Sequence, residues 1–413
     1  MKYYELFSIL ILLTAFISFI NEVYLKQIKT IGLVITSVVV AIGVVLLNNM
    51  FDAVSIPITK FIEDLDFKST LLDSLLGYLI FAGSLHINAG ELRKYTSSVL
   101  YLASIGVFIS TIITGSLLHL VCNLFHVPIN IGECFVFGAL ISPTDAIAVL
   151  AIFKNIRNTP NRLKVIITGE SLFNDAVGIV LLSVLSNFIF LNVPLDIPHI
   201  MQAILVEVGG ALLLGLIVGA ITTYAIRISK SGDVVVLLTI AASSFGYITA
   251  QKIHVSGVIT MVIAGLIIGY HKTSNLSHQN NIKVLKNFWE LVDELLNAVL
   301  FVLIGLIIVI TKIDHEIVII GLCCVVIILF ARLVSIILPN SLLSHYDKFL
   351  NFSFKESLLM TWGGMRGGIS IALALSLPHL NKDIIAITYC VVISSILLQG
   401  SSFKKVCKYL LGH

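Results

Sequence analysis

The segment GESLFNDAVGIVL, Gly169–Leu181, puts two carboxylates, an amide and a hydroxyl at the head of an apolar run that continues LLSVLSNFIF. Carboxylate and hydroxyl oxygens are ligands for hard cations, and a carboxylate can hold a proton in the same place. If the segment is helical, residues four apart share a face, so Ser171 lies under Asp175 and Glu170 under Asn174 on the neighbouring face. One face then offers oxygens to a cation, and the other offers Glu170 to a buried arginine. Two other segments carry matching groups: Thr144 and Asp145 in ISPTDAIAVLAIF, and Arg366 in TWGGMRGGISIALAL.

The rest of the chain dictates what surrounds these groups. Of 413 residues, 58% are hydrophobic and only 12% are charged, and apolar stretches near the length of a bilayer recur throughout. Such segments are too long and too evenly apolar for barrel strands, and lipid leaves backbone groups no partner outside helices. The expectation is an all-α polytopic membrane protein of about thirteen transmembrane helices. The windows lie near 4–20, 29–49, 71–89, 97–124, 131–153, 165–191, 199–227, 233–251, 253–270, 290–311, 316–338, 354–377 and 383–403, with a short cytoplasmic tail at about 404–413. Loops of at most about twenty residues leave no room for a separate globular core, so residues 1–413 read as one transmembrane domain.

Setting aside Arg332 and Arg366, which fall inside windows, eighteen Lys and Arg lie in one set of alternate loops and six in the other. By the positive-inside rule this places the N-terminus outside and the C-terminus in the cytoplasm of a plasma (inner) membrane. The first window follows a barely basic MKYYE and no clean small-residue cleavage site, so it reads as a span and not a signal peptide. The net charge of +3 reflects this topology and implies no nucleic-acid partner. The six cysteines show no metal-ligand spacing and read as packing residues.

Five or more residues in from either end of a window, the charged residues are few: Asp145, Glu170, Asp175, Glu207, Arg332 and Arg366. Each costs about 2.5 to 3.5 kcal/mol on insertion scales, which makes each a functional candidate. At about 1.5 Å per residue from the cytoplasmic ends, Asp145, Asp175 and Arg366 fall at depths of roughly 12, 15 and 18 Å. The windows at 131–153 and 354–377 are also interrupted in sequence, by Ser142-Pro143-Thr144-Asp145 and by Gly363, Gly364, Gly367 and Gly368 around Arg366. Proline removes a donor and glycine permits unwinding, so two broken helices of opposite orientation are expected to cross at mid-membrane as an inverted repeat. Asp175, Asp145, Ser171 and Thr144, with carbonyls freed near Pro143, would supply the oxygens for a monovalent cation. Arg366 is the better partner for Glu170 and Arg332 the other. Asn297, one turn beyond Asp293, could brace an unwound helix, and Glu207 could line an external funnel or sit at a dimer interface.

ISPTDAIAVLAIF, GESLFNDAVGIVL, FWELVDELLNAVLFVLIGL and GGMRGGISIALALSLP, in this order within about residues 75 to 400, resemble the signature segments of the sodium/proton exchanger branch of the monovalent cation:proton antiporters. The resemblance implies that Asp175 is the acid that carries either ion, that Thr144 and Asp145 sit where unwound helices cross, that Ser171 helps coordinate, and that Glu170 pairs with Arg366. It also implies a thirteen-helix homodimer, and Asn174 in place of a second Asp resembles the electroneutral members. Many relatives carry an acidic or amide side chain where this chain has Ala82.

The expected activity is therefore exchange of Na+ (or Li+) for H+ by alternating access, one for one, with no cofactor beyond the transported ions. The partners expected are monovalent cations, protons and the lipid bilayer. Oxygen ligands do not fix cavity size, so K+/H+ exchange by the same fold is the alternative. A membrane aspartyl protease would need a Gly-x-Gly-Asp segment, which is absent. Phe173 stands where a Gly-x-Ser-x-Gly nucleophile elbow needs its second Gly. A passive channel differs from an exchanger in lacking counterflow.

Overall fold

The computed structural model describes residues 2–50, 75–153, 156, 160–191, 197–273, 279–309, 311, 314–343, 351–377 and 379–411. Among these residues all regular structure is helical. The helices are α1 (Lys2–Ile20), α2 (Lys29–Met50), α3 (Leu76–His86), α4 (Thr96–Tyr101), α5 (Val107–Leu124), α6 (Ile131–Ile141), α7 (Ile147–Phe153), α8 (Asn161–Leu191) and α9 (Ile197–Ile228). They continue as α10 (Gly232–Lys252), α11 (Gly257–Thr273), α12 (Gln279–Leu306), α13 (His315–Leu343), α14 (Phe354–Trp362), α15 (Gly368–Ser376), α16 (Lys382–Ser394) and α17 (Ser401–Leu411). Among the described residues, eight helical stretches are long and apolar enough to cross a membrane, and four shorter apolar helices accompany them. The chain is a multi-pass, all-α membrane protein.

Among the described residues each apolar window lies largely on helix, and several helices overrun theirs. Helix α12 begins at Gln279 and α8 at Asn161, because hydrogen-bonded turns continue beyond the hydrocarbon boundary where the side chains become polar. In that polar part of α12, Lys286 and Glu290 form an exposed i,i+4 ion pair at 3.6 Å. Most of the expected loop at 48–70 lies outside the described residues.

Two compact units divide the chain. The first comprises residues 1–72, 105–159 and 297–413, and the second residues 73–104 and 160–296. In the first unit α13 packs on α5, α14 and α16, and α5 packs on α6. The approach of α5 to α6 is close because Gly138 faces the backbone of Thr111, where an added Cβ would lie 2.5 Å from the Thr111 carbonyl oxygen. Without a hydrophobic force between helices in lipid, such small-residue contacts supply the packing. In the second unit α11 packs on α3, α9 and α10, and α8 on α4. Trp289 is fully buried there and donates from its indole nitrogen to Thr239 Oγ1 at 2.9 Å, while Tyr78 pairs with Ser244 at 2.6 Å.

Both interrupted helices of the first unit start from capping boxes. Asn130 and Glu133 exchange backbone and side-chain hydrogen bonds at the start of α6, and Ser353 and Glu356 do so at the start of α14. Asn340 clamps the entry to α14 by donating to the Phe352 carbonyl at 3.1 Å and accepting its N–H at 2.9 Å.

A first expectation concerns the α5–α6 contact. Gly138→Ala should lower stability by about 1 to 3 kcal/mol, seen as a lower thermal midpoint in detergent, because the obstructing atom is backbone. Gly83→Ala, where an added Cβ meets nothing within 4 Å, should leave the midpoint unchanged or raise it. Equal midpoints for the two variants would refute the packing argument.

Candidate ion-binding site

Helix α6 ends where Pro143 can no longer donate to the ladder, and residues 142–146 run without helical structure before α7 begins. Helix α14 ends at Trp362, and residues 363–367 are likewise non-helical before α15. The two breaks hydrogen-bond to each other, since Asp145 N–H donates to the Met365 carbonyl at 2.8 Å. Both are buried, with Thr144 at 5% and Arg366 at 1% exposure.

Charge at these breaks is matched to the helix ends that the breaks create. Arg366 Nη1 donates to the carbonyl of Ser142 and, at 2.9 Å, to that of Pro143, just past the C-terminus of α6. A cation is favourable there because the last carbonyls of a helix carry partial negative charge. Asp145 does the reverse: its Oδ1 accepts the Ile147 N–H at 2.8 Å and so caps the N-terminus of α7. Its other oxygen faces Gly367, where an added Cβ would lie 2.7 Å from Oδ2. Gly367 therefore lets the backbone of one break approach the carboxylate of the other. Arg332, from α13, lies against the same region, with its Nε 3.0 Å from where a Cβ at Gly364 would be. Asn297 is buried in α12, one turn before Leu300, which with Ile304 packs on Gly368.

In the second unit, α8 carries the other group. Asn161 at its start donates to Glu91 Oε2 at 3.0 Å. Gly169 brings α8 close to the Leu92 and Val99 side chains, with an added Cβ 2.6 Å from Leu92 Cδ1. Directly after it, Glu170 and Asn174 form a buried stripe at 1% and 0% exposure, and Ser171 and Asp175 form the adjacent, half-buried stripe. Glu207 lies half-buried on α9, where its carbonyl accepts Ser256 N–H at 3.3 Å. Ala82 is fully buried on α3.

The first unit thus gathers Thr144, Asp145, Arg366 and Arg332 around two facing breaks. The second carries Glu170, Ser171, Asn174 and Asp175 together on one helix. Two contributors, Ser395 and Gln399, and one role of Asp145 were not read from the sequence. The capping role of Asp145 was legible in principle, since an Asp two residues before an apolar run is an N-cap signal. The polar residues of the last span that brace the second break, Ser395 and Gln399, gave no signal, because a serine and a glutamine in an apolar run have no period of their own.

Interrupted helices with charged residues at their breaks, among described residues that are helical and of membrane-spanning length, are the pattern of a secondary transporter. Comparison with known proteins supplies the family. The model described as "Sodium/hydrogen exchanger, transmembrane" matches residues 8–409, and the chain belongs to that family. It is 35% identical over 407 residues to the Na+/H+ antiporter NhaP of Pseudomonas aeruginosa, covering 96% of this chain and 95% of that one. It is 30% identical over 355 residues to the Na+/H+ antiporter NhaH of Halobacillus dabanensis, covering 83% and 84% of the two chains. The fold is similar to that of the sodium proton antiporter MjNhaP1 from Methanocaldococcus jannaschii at pH 8, with a TM-score of 0.78 and 20% identity over the whole of both chains.

The cap at α7 yields an expectation that separates fold from ligation. Asp145→Asn keeps an oxygen for the Ile147 N–H, whereas Asp145→Ala leaves the helix uncapped and should be less stable than the Asn variant by about 0.5 to 2 kcal/mol. Thermal unfolding of the two purified variants measures the difference, and equal midpoints would remove the capping role.

Proposed function

We propose that this protein exchanges Na+ (or Li+) for H+ across a cell membrane, one for one, by alternating access. The observation that carries the reading is Asp175, a half-buried carboxylate deep in a long apolar helix, in a chain whose relatives are named Na+/H+ antiporters. An unneutralised carboxylate is costly to move through an apolar barrier, so Asp175 relocates loaded with either a proton or a cation. One site that accepts either but must be filled couples the two gradients without ATP.

In this reading Ser171 adds a hydroxyl oxygen on the face of Asp175, and Thr144 and Asp145 contribute further oxygens to Na+. Asn174 is an amide that cannot titrate, Glu170 and Arg366 form a structural ion pair, and Arg332 and Asn297 brace the unwound segments. Glu207 is assigned to external access or to the contact between two copies of a homodimer. The N-terminus lies outside and the C-terminus in the cytoplasm.

Asp175→Asn should abolish Na+-driven dissipation of a pH gradient in proteoliposomes while the protein still inserts and purifies. Dissipation at the wild-type rate would sink the mechanism. Gradients of Na+, Li+ and K+ compared in the same vesicles report selectivity, and a K+ response equal to that for Na+ would replace the Na+ assignment. With Asn174 in place of a second acid, a valinomycin-set potential should not shift the steady pH gradient. A two-proton cycle would instead respond at about 2.3 kcal/mol per charge per 100 mV.

The Glu170–Arg366 assignment is open to a double-mutant cycle. Arg366→Ala should cost about 3 to 5 kcal/mol by leaving a buried carboxylate uncompensated, and the Glu170→Gln background should recover part of that loss. Additive losses would separate the two residues.

A further inference from the structure

The last span carries a buried polar chain that ends on the second helix break. Ser395 and Gln399 are 2% and 4% exposed and lie in a stretch of π-helix, Ser395–Gly400, between α16 and α17. Ser395 Oγ accepts the backbone N–H of Arg366 at 3.0 Å and donates to Gln399 Oε1. Gln399 Nε2 donates in turn to the Trp362 carbonyl at 3.0 Å. The Trp362 indole N–H then returns to the same span, donating to Ser402 Oγ at 2.9 Å.

These bonds fall on the backbone groups that the break orphans. Trp362 is the last residue of α14, so its carbonyl has lost the N–H that a continued helix would supply, and Arg366 has lost the carbonyl that its own N–H would use. Neither can be left unpaired away from water, and lipid offers no substitute. The polarity of the chain is fixed by its ends. Trp362 presents an acceptor and needs the amide nitrogen of Gln399, which turns the amide oxygen toward the Ser395 hydroxyl. That hydroxyl then has a lone pair left for the Arg366 N–H. The widened π turn carries this face of the span, in keeping with the occurrence of π bulges at functional sites.

We infer that Ser395 and Gln399 are positioning residues for cation binding: by fixing the Arg366 backbone they fix where its guanidinium meets the Ser142 and Pro143 carbonyls, and hence the oxygens that the first break presents. The link is short. The Arg366 N–H is held from the last span, its Nη1 reaches the end of α6, and the Asp145 N–H returns to the Met365 carbonyl. A shift of the Arg366 backbone therefore moves both breaks together. The inference rests on the exchange reading, since affinity for the transported cation is what it predicts.

The test compares wild type, Ser395→Ala, Ser395→Thr, Gln399→Leu and Gln399→Glu in proteoliposomes. Apparent KM for Na+ and Vmax are read from pH-gradient dissipation, and thermal midpoints from detergent samples. Ser395→Ala and Gln399→Leu should raise the KM roughly tenfold while Vmax changes less than about twofold, because sub-ångström misplacement of ligands is felt as lost binding. Ser395→Thr, which keeps the hydroxyl, should restore the wild-type KM. Gln399→Glu sets an oxygen against the Trp362 carbonyl and should behave like Gln399→Leu. A lower midpoint or Vmax with an unchanged KM in Ser395→Ala overturns the inference, and that variant alone decides if the Gln399 variants do not fold. A wild type with no cation-driven signal would instead sink the exchange reading and this role with it, whereas an active wild type with insensitive variants would sink only this role.

Discussion

A helix that breaks inside a membrane exposes backbone groups where no water can reach them, and the first unit of this protein is built around meeting that need twice. The breaks at 142–146 and 363–367 bind each other through the Asp145 N–H and the Met365 carbonyl. Some of what this bond leaves over pairs within the second break, and other groups are taken by side chains. Arg366 takes the carbonyls after α6, Asp145 takes the amide that starts α7, and Ser395 and Gln399 take the groups on either side of the second break. Charges that would be costly in an apolar interior are thus placed at helix ends of opposite partial charge, and each offsets part of the other's desolvation.

The same economy explains where side chains are missing. Gly367 leaves room for the Asp145 carboxylate and Gly364 for the Arg332 guanidinium stem, so two glycines in GGMRGG are contact positions as well as flexible ones. The outer ends of the two broken helices are fixed independently by their capping boxes, at Asn130 to Glu133 and at Ser353 to Glu356. Each broken helix is therefore anchored at its start and tied at its middle.

The helical elements were legible because lipid imposes one solution on an apolar stretch, and the described parts of the windows lie largely on helix. The helix ends were less legible. At α8 and α12 the helices run into polar sequence, where periodicity and hydropathy stop agreeing. The two interruptions could be read from Pro143 and from paired glycines because these residues act on the backbone locally. The partners of Arg366 could not be read in the same way. Its sequence signals a buried cation in need of an acceptor, and carboxylates are the visible acceptors, but backbone carbonyls look alike in any sequence. The Ser142 and Pro143 carbonyls become acceptors only because a helix ends there, so the interaction belongs to the fold and not to a motif. Ser395 and Gln399 were silent for a related reason: what they bind are backbone groups made available by a break, 29 and 37 residues away.

The two aspartates differ in what else they must do. Asp145 caps a helix, so one of its oxygens is committed to the Ile147 N–H and its charge is already favoured by the helix end. Asp175 lies deep within the continuous helix α8, too far from either end to cap it, on a stripe that is half-buried while its neighbours Glu170 and Asn174 are buried. No helix terminus depends on its charge. The two carboxylates therefore stand in different structural roles, one committed to a helix start and one in the middle of a continuous helix.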